Sequence, residues 1–219
     1  MFFDQVLEYL IGKQAYTKQQ RRLFDALASV FVEFPIDNEP PSSAVVALAA
    51  NCGSDLPHAL AAGLNCITDQ HLPINQIAEF ISNNHHKNVI DVVRENDGRK
   101  IPGFGHPSIK QEDARVIYLI TNFADLIGNH TNFCLRLQEH MPVPMNIGCA
   151  IAALSLDNGI DPSNCLFLPL MGRMFGWLKL YNKTKNKFNK VVPSFESIKN
   201  EHSSISDSLK VRHFITAYS

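Results

Sequence analysis

The sequence predicts an all-α fold. Three observations carry this reading. Apolar residues recur at helical spacing along most of the chain, start and stop signals bracket each apolar run, and no βαβ alternation, internal repeat or low-complexity tract interrupts the pattern. Phe3, Val6, Leu7 and Leu10 share one face, and Gly12 is a natural stop. Thr17-Lys-Gln-Gln20 matches a capping box, in which the threonine and glutamine side chains each satisfy a backbone amide that the helix start leaves open. Leu23, Phe24, Leu27, Val30 and Phe31 continue that helix on one face, with Pro35 expected to end it. Residues 37–43 read as a loop, and Ser42 or Ser43 is expected to cap an Ala-rich helix closed by Gly53. Asp55 caps a helix over 56–67, and shorter helices are expected over 74–82 and 89–95.

Residues 100–107 form a Gly/Pro turn. Helices over 112–127 and 131–138 follow, broken near Gly128, and a small-residue helix over 146–157 ends at Gly159. Asp161-Pro162 supplies an N-cap and a first-position proline for an apolar helix reaching about Tyr181. Beyond it the composition shifts to lysines at 183, 185, 187 and 190 and then to a polar, Ser-rich stretch. The chain therefore divides into a helical domain, 1–181, and a C-terminal arm, 182–219. Residues 209–218 of the arm are apolar enough to dock on the body or on a second subunit.

Of 219 residues, 45% are hydrophobic and 19% charged, which suits one domain with a sizeable core. A formal net charge of -1 gives the whole molecule no electrostatic hold on nucleic acid or membrane. Cys52, Cys66, Cys134, Cys149 and Cys165 are dispersed without a CxxC pair. They read as buried free thiols in a reducing compartment, not as disulfides or metal ligands. No apolar stretch reaches membrane-spanning length and no basic segment precedes an apolar one at the start, so a cytoplasmic protein is expected.

The chemistry concentrates in Ile101-Pro-Gly-Phe-Gly-His106, with Asp113-Ala-Arg115 opening the next helix. Gly103 and Gly105 permit a strained turn and close approach of backbone to a ligand. His106 can donate to a carbonyl oxygen or move a proton, and Arg115, nine residues on, offers a planar fork for a carboxylate. Together they suit an anionic carbonyl compound. Arg115 can equally pair with Glu112 or Asp113, and Arg173, inside an apolar helix, needs either a buried acidic partner or a ligand carboxylate.

This spacing resembles the signature of the citrate synthase family, Gly-aromatic-Gly-His followed by Asp-Pro-Arg, with Ala114 in place of the proline. The resemblance extends over roughly residues 1–195, close to the short citryl-CoA-lyase-like form. The Ala-rich segments 47–53 and 59–64 are similar to the helix pair ahead of the family's first active-site histidine. That histidine usually stands in Gly-Pro-Leu-His-Gly-Gly-Ala; the same place here reads Thr68-Asp-Gln-His71-Leu-Pro-Ile74. Gly172-Arg173-Met-Phe-Gly176 resembles the family's Gly-Arg-x-x-Gly. The resemblance implies that His71 stabilises an enol and that His106 polarises an oxo-acid carbonyl. It further implies that Arg115 and Arg173 clamp carboxylates and that Gly103, Phe104 and Gly105 line the side taken by a coenzyme A thioester. It also implies a homodimer built on antiparallel helices, with 44–50 and 56–67 as candidates, and no metal.

The departures are as informative. The catalytic aspartate of Asn-Val-Asp-Gly falls on Gly148, in Asn146-Ile-Gly-Cys149. Asp157 lies nine residues further on, about 13 Å along a helix, too far to substitute. An expected histidine loop becomes residues 32–37 without histidine, and an expected Arg-Pro becomes Val192-Pro193. Two functions follow from the resemblance. One is acyl-CoA plus oxo-acid carbon–carbon bond formation or cleavage, impaired for citrate. The other is a non-catalytic homologue that binds coenzyme A or a carboxylate, or that dimerises with an active relative.

Overall fold

In a computed structural model, the described residues are 2–12, 16–33, 40–96, 99–107, 109 and 111–185. Among them are ten α-helices and no strand; two isolated bridges, Thr68 with His71 and Phe104 with Met145, are the only β-type pairings. No described helix is long and apolar enough to cross a membrane. The C-terminal arm beyond Lys185, Pro35, most of the 32–37 loop and Val192 lie outside the described residues.

The helices form where local signals and apolar periodicity coincide. Helix α1 (Phe2–Ile11) stops at Gly12, whose φ of 59° is left-handed. Helix α2 (Lys18–Ser29) carries the full capping box: Thr17 accepts from the Gln20 amide and the Gln20 side chain accepts from the Thr17 amide, both at 3.0 Å. It ends at Ser29, earlier than a stop at Pro35 requires, and a short turn brings Phe31 under the core. Helices α3 (Pro41–Asn51) and α4 (Leu56–Asn65) pack on each other, and Asp55 caps α4 through the His58 amide.

Neither Ser42 nor Ser43 caps α3, contrary to the sequence expectation. Pro40 occupies the cap position, Pro41 has no amide to satisfy, and both serines turn inward. Ser43 Oγ accepts from the Trp177 indole at 3.0 Å, while Ser42 reaches His71.

Helices α5 (Ile74–Asn84) and α6 (Val89–Glu95) follow, then α7 (Ala114–Asn122) capped by Asp113. The expected continuous helix over 112–127 breaks after Asn122, and Ala124–Leu126 is a single 3-10 turn. Helix α8 (Asn129–Gln138) has no side-chain cap of its own from Gly128. Its start is held instead by Asp157, whose carboxylate accepts from the Gly128, His130 and Thr131 amides at 2.8–3.0 Å. Asp157 is thus committed to joining α9 (Ile147–Asp157) to α8.

Every residue of α9 from Ile147 to Ser155 is buried, and α5, α7 and α8 pack around it. Its small residues let these neighbours close in. Asp161-Pro162 starts only the 3-10 turn Pro162–Asn164; the apolar helix α10 (Phe167–Thr184) begins later.

Two clusters make the core. The larger joins α1, α2 and α5 to α9; the smaller centres on Trp177 between α3, α4 and α10. Helix α10 bridges them through Gly172 and Gly176. A methyl at Gly172 would overlap the Ala28 carbonyl oxygen, and one at Gly176 the Val32 carbonyl oxygen. The glycines let α10 lie directly on the end of α2, which fixes where Arg173 sits. Of the five thiols, Cys134, Cys149 and Cys165 are buried, whereas Cys52 is exposed and Cys66 half-buried, so burial of all five does not hold. Burial pushes the Cys165 thiol up to about 12, leaving it inert.

Candidate functional site

His71, His106, Arg115 and Arg173 line one cavity of about 380 Å³. The four come from four separate stretches of chain, and the fold brings all of them together.

Arg173 is placed by the glycine-mediated approach of α10 to α2. It is 3% exposed, and its guanidinium lies 4.9 Å from the centre of the Phe31 ring. Arg115 lies 5.7 Å from the same ring. Phe31 is a shared platform: a ring face attracts each cation without neutralising it. Burial, and then the nearby Arg115 charge, push Arg173 down to about 10, so it remains protonated at neutral pH. Arg115 also grips Asp113, Nε to Oδ1 at 3.0 Å and Nη2 to Oδ2 at 2.6 Å. Burial raises the Asp113 carboxyl, but the Arg115 hydrogen bonds and charge outweigh it and hold it below the usual carboxylate range. The pairing of Arg115 with Asp113 and its place in the cavity wall hold together; neither reading of the sequence displaces the other.

His71 sits in a turn closed by mutual backbone bonds with Thr68, at 2.9 and 3.0 Å. Leu72, directly after it, has φ 66°. A leucine in this left-handed region costs roughly 1–2 kcal/mol, and it stands where the family pattern has glycine. Ser42 Oγ and His71 Nε2 share a hydrogen bond at 2.9 Å, its direction set by the imidazole tautomer. Burial, then the Arg173 charge, lower the pKa of His71, which favours the neutral ring.

His106 is oriented from the other side. Its Nδ1 accepts from the Ile109 amide at 3.0 Å, so the proton of the neutral ring lies on Nε2. On that assignment Nε2–H is the donor of the neutral ring. The turn before it is stitched to the start of α9. The Gly105 amide donates to Pro144 O at 2.8 Å, the Asn146 amide to Gly103 O at 2.9 Å, and Asn146 Nδ2 to Gly105 O at 3.0 Å. Asn146 Oδ1 meanwhile caps α9 through the Cys149 amide. Gly103 and Gly105 have φ of 91° and 77°, as the strained turn requires. Gly105 lines the cavity; Gly103 and Phe104 are not among its lining residues. The space beside Gly103 is occupied by Cys149 and Ile77, so its close approach is to α9 and α5.

Gly148 also lines the cavity. A Cβ there would meet Asn146 Oδ1 and Ile77 Cδ1 at 3.2 Å and Ile74 Cγ1 at 3.7 Å. No described lining residue is an aspartate or glutamate, so none brings a carboxylate base to this place. Nor do the described residues include a group of three or more His, Cys, Asp or Glu arranged to hold a metal ion.

Sequence reasoning missed Phe31, Ser42 and the clamp role of Asn146. Phe31 looked like one more core aromatic and Ser42 like a helix cap. Asn146 alone carried a signal, standing three residues before the amide it caps.

The chain resembles known proteins in the following terms. A family model described as citrate synthase, C-terminal domain, matches residues 2–192. A search of curated proteins finds no match. Among solved structures, citryl-CoA lyase from Hydrogenobacter thermophilus superposes with a TM-score of 0.76 at 23% identity, covering 87% of this chain and 80% of that one. An ATP citrate lyase variant from Methanosaeta concilii, in complex with (3S)-citryl-CoA, gives 0.69 at 17% identity, covering 90% of this chain and 38% of that one. Citrate synthase from Thermotoga maritima gives 0.65 at 18% identity, covering 83% of this chain and 54% of that one. At these identities the superpositions establish the fold. With the family model spanning most of the sequence, this chain belongs to the citrate synthase family.

Proposed function

We propose that the chain is a carboxylate-binding member of its family whose carbon–carbon chemistry is impaired. One observation carries this reading: the cavity presents two arginines and two oriented histidines, while the surroundings of Gly148, made by the Asn146 amide oxygen, Ile77 and Ile74, bring no carboxylate among the described lining residues. Arg173 and Arg115 attract the anion, His106 Nε2–H donates to its carbonyl or hydroxyl oxygen, and His71 adds a second hydrogen-bonding ring. Loss of a general base alone costs about 10²–10⁴ in rate. The ATP citrate lyase variant in complex with (3S)-citryl-CoA suggests a coenzyme A thioester as second ligand, with Gly105 as the residue of the 103–105 turn that lines the cavity.

A second reading, slow lysis or condensation, is favoured by the retention of both histidines in one cavity, with His106 in the tautomer that polarises a carbonyl. A homodimer through α3 and α4 accords with the exposed Leu48 and Leu64 on those helices; a monomer at micromolar concentration in light scattering would exclude it.

The deciding experiment is a thermal-shift series with oxaloacetate, citrate, acetyl-CoA and coenzyme A. Binding raises the melting temperature progressively with ligand concentration. Stabilisation by a carboxylate that is lost in Arg173→Gln is expected; no shift with any carboxylate would refute the proposal.

A further inference from the structure

A second cavity, of about 410 Å³, opens at the far end of α5. His85, which ends that helix, lies about 16 Å along its axis from Ile74 at 1.5 Å per residue, so the two cavities are separate. His85 and His86 line one side, and the outer face of α8, including Arg136 and Glu139, lines the other. His130, the second residue of α8, stands beside His85. Their ring centres are 4.2 Å apart with planes tilted by 47°, and His86 meets His85 edge-on at 5.6 Å.

Hydrogen bonds set the tautomer of both close rings. His85 Nδ1 lies 2.9 Å from Ser82 O, and His130 Nδ1 lies 2.9 Å from Asp157 Oδ1. A carbonyl and an ionised carboxylate only accept, so each neutral ring carries its hydrogen on Nδ1 and its lone pair on Nε2. Among the described residues no hydrogen bond reaches either Nε2. The Asp157 carboxylate is 2% exposed, whereas the His130 side chain is 22% exposed. A buried carboxylate that holds Nδ1–H orients an imidazole and raises the basicity of its other nitrogen, as behind metal-binding histidines. Two imidazoles bound at about 2.0–2.1 Å to one ion, at right angles, have ring centres roughly 4.5 Å apart; tetrahedral angles need roughly 5.2 Å. The observed separation is close to the right-angle value. No group of three His, Cys, Asp or Glu is arranged as a closed site among the described residues, so further positions on such an ion belong to water or an added donor.

We propose that His85 and His130 form an open site for a divalent transition-metal ion of right-angled geometry, Ni²⁺ in preference to Zn²⁺, bound through both Nε2 atoms. The ion ties the end of α5 to the start of α8, outside the carboxylate cavity.

The test is calorimetric titration of the full chain, without an affinity tag, with Ni²⁺ and with Zn²⁺. One Ni²⁺ per chain is expected, bound more tightly than Zn²⁺, with a melting temperature that rises with Ni²⁺ concentration. His85→Gln and His130→Gln should each weaken Ni²⁺ binding at least tenfold. His85→Phe, which keeps a ring against His130 should the glutamine disturb packing, should do the same. His58→Gln, which removes the exposed imidazole beside Asp55, should change it by less than about twofold. Absence of Ni²⁺ binding, binding undiminished in His85→Phe and His130→Gln, or tighter binding of Zn²⁺ would each overturn the proposal. None of these outcomes bears on the carboxylate reading, which is tested at the other cavity.

Discussion

Gly148→Asp restores the acidic side chain that the family pattern places there, and the surrounding distances set what it achieves. Position 148 is second in α9 after the Asn146 cap, so an acid gains about 0.3–1 kcal/mol from the helix start, plus a few tenths from replacing glycine. Against this, its Cβ meets Ile77 Cδ1 and Asn146 Oδ1 at 3.2 Å, so both must give by a few tenths of an ångström. Crowding and partial desolvation beside Ile74 cost about 1 kcal/mol or slightly more. The net lies within about 1 kcal/mol of zero, a shift of roughly 2–4 °C in melting temperature. The new carboxylate is therefore carried by a folded protein, and activity becomes interpretable. A well-placed base returns up to about 10²–10⁴ in rate, but Ile77 deflects this one, and a displacement of about 1 Å costs roughly 10². The assay is release of free coenzyme A thiol from acetyl-CoA with oxaloacetate. Wild type is expected to be near background and Gly148→Asp to gain less than about 10² over it. Wild-type turnover near the ordinary enzymatic ~10 s⁻¹ would refute the reasoning, because another group would then be acting as base. Adding Val192→Arg tests the second departure by the same readout.

Three further outcomes are expected. Gly172→Ala, whose methyl meets the Ala28 carbonyl oxygen, should lose about 2–3 kcal/mol in urea denaturation despite the better helix propensity of alanine, and should weaken carboxylate binding by displacing Arg173; wild-type stability would show that α10 and α2 are not in direct contact. Asp157→Ala, which strips the α8 amides of their acceptor, should cost about 2–4 kcal/mol at neutral pH. Burial raises the Asp157 carboxyl, but the hydrogen bonds from the Thr131, His130 and Gly128 amides outweigh it, and its pKa falls below the usual range. Its contribution is therefore full above about pH 4 and lost as pH falls through the folded value, so the gap between wild type and variant should close in acid; a gap independent of pH would contradict this. His71, with its pKa lowered by burial and Arg173, contributes stability present above about pH 6.5 and lost as pH falls through its folded value; His71→Gln should flatten that part of the stability–pH curve, and an unchanged curve would rule this out.

The sequence by itself determined the helical class, because helix formation is governed by local periodicity and capping. Thr17–Gln20, Asp55 and the Gly103 and Gly105 turn could be read without any tertiary contact. It also named the four cavity side chains, since their motif spacing survives although they are far apart in the chain. Tertiary structure alone decided what those side chains face. Ser42 closes the Pro-rich loop ahead of an Ala-rich run and so looked like a cap, yet it lies inside a helix begun at Pro41, and packing against His71 claimed its hydroxyl. Arg115 could pair or bind by sequence; only the shared Phe31 ring showed that it does one while lining the cavity. Gly172 and Gly176 were motif letters until the Ala28 and Val32 carbonyls explained them as a close approach of two helices. Loss of the aspartate at position 148 was visible in the sequence, but the filling of its surroundings by Ile74 and Ile77 was not. Which apolar groups of one helix meet a residue of another depends on how the helices pack, and no local pattern encodes that.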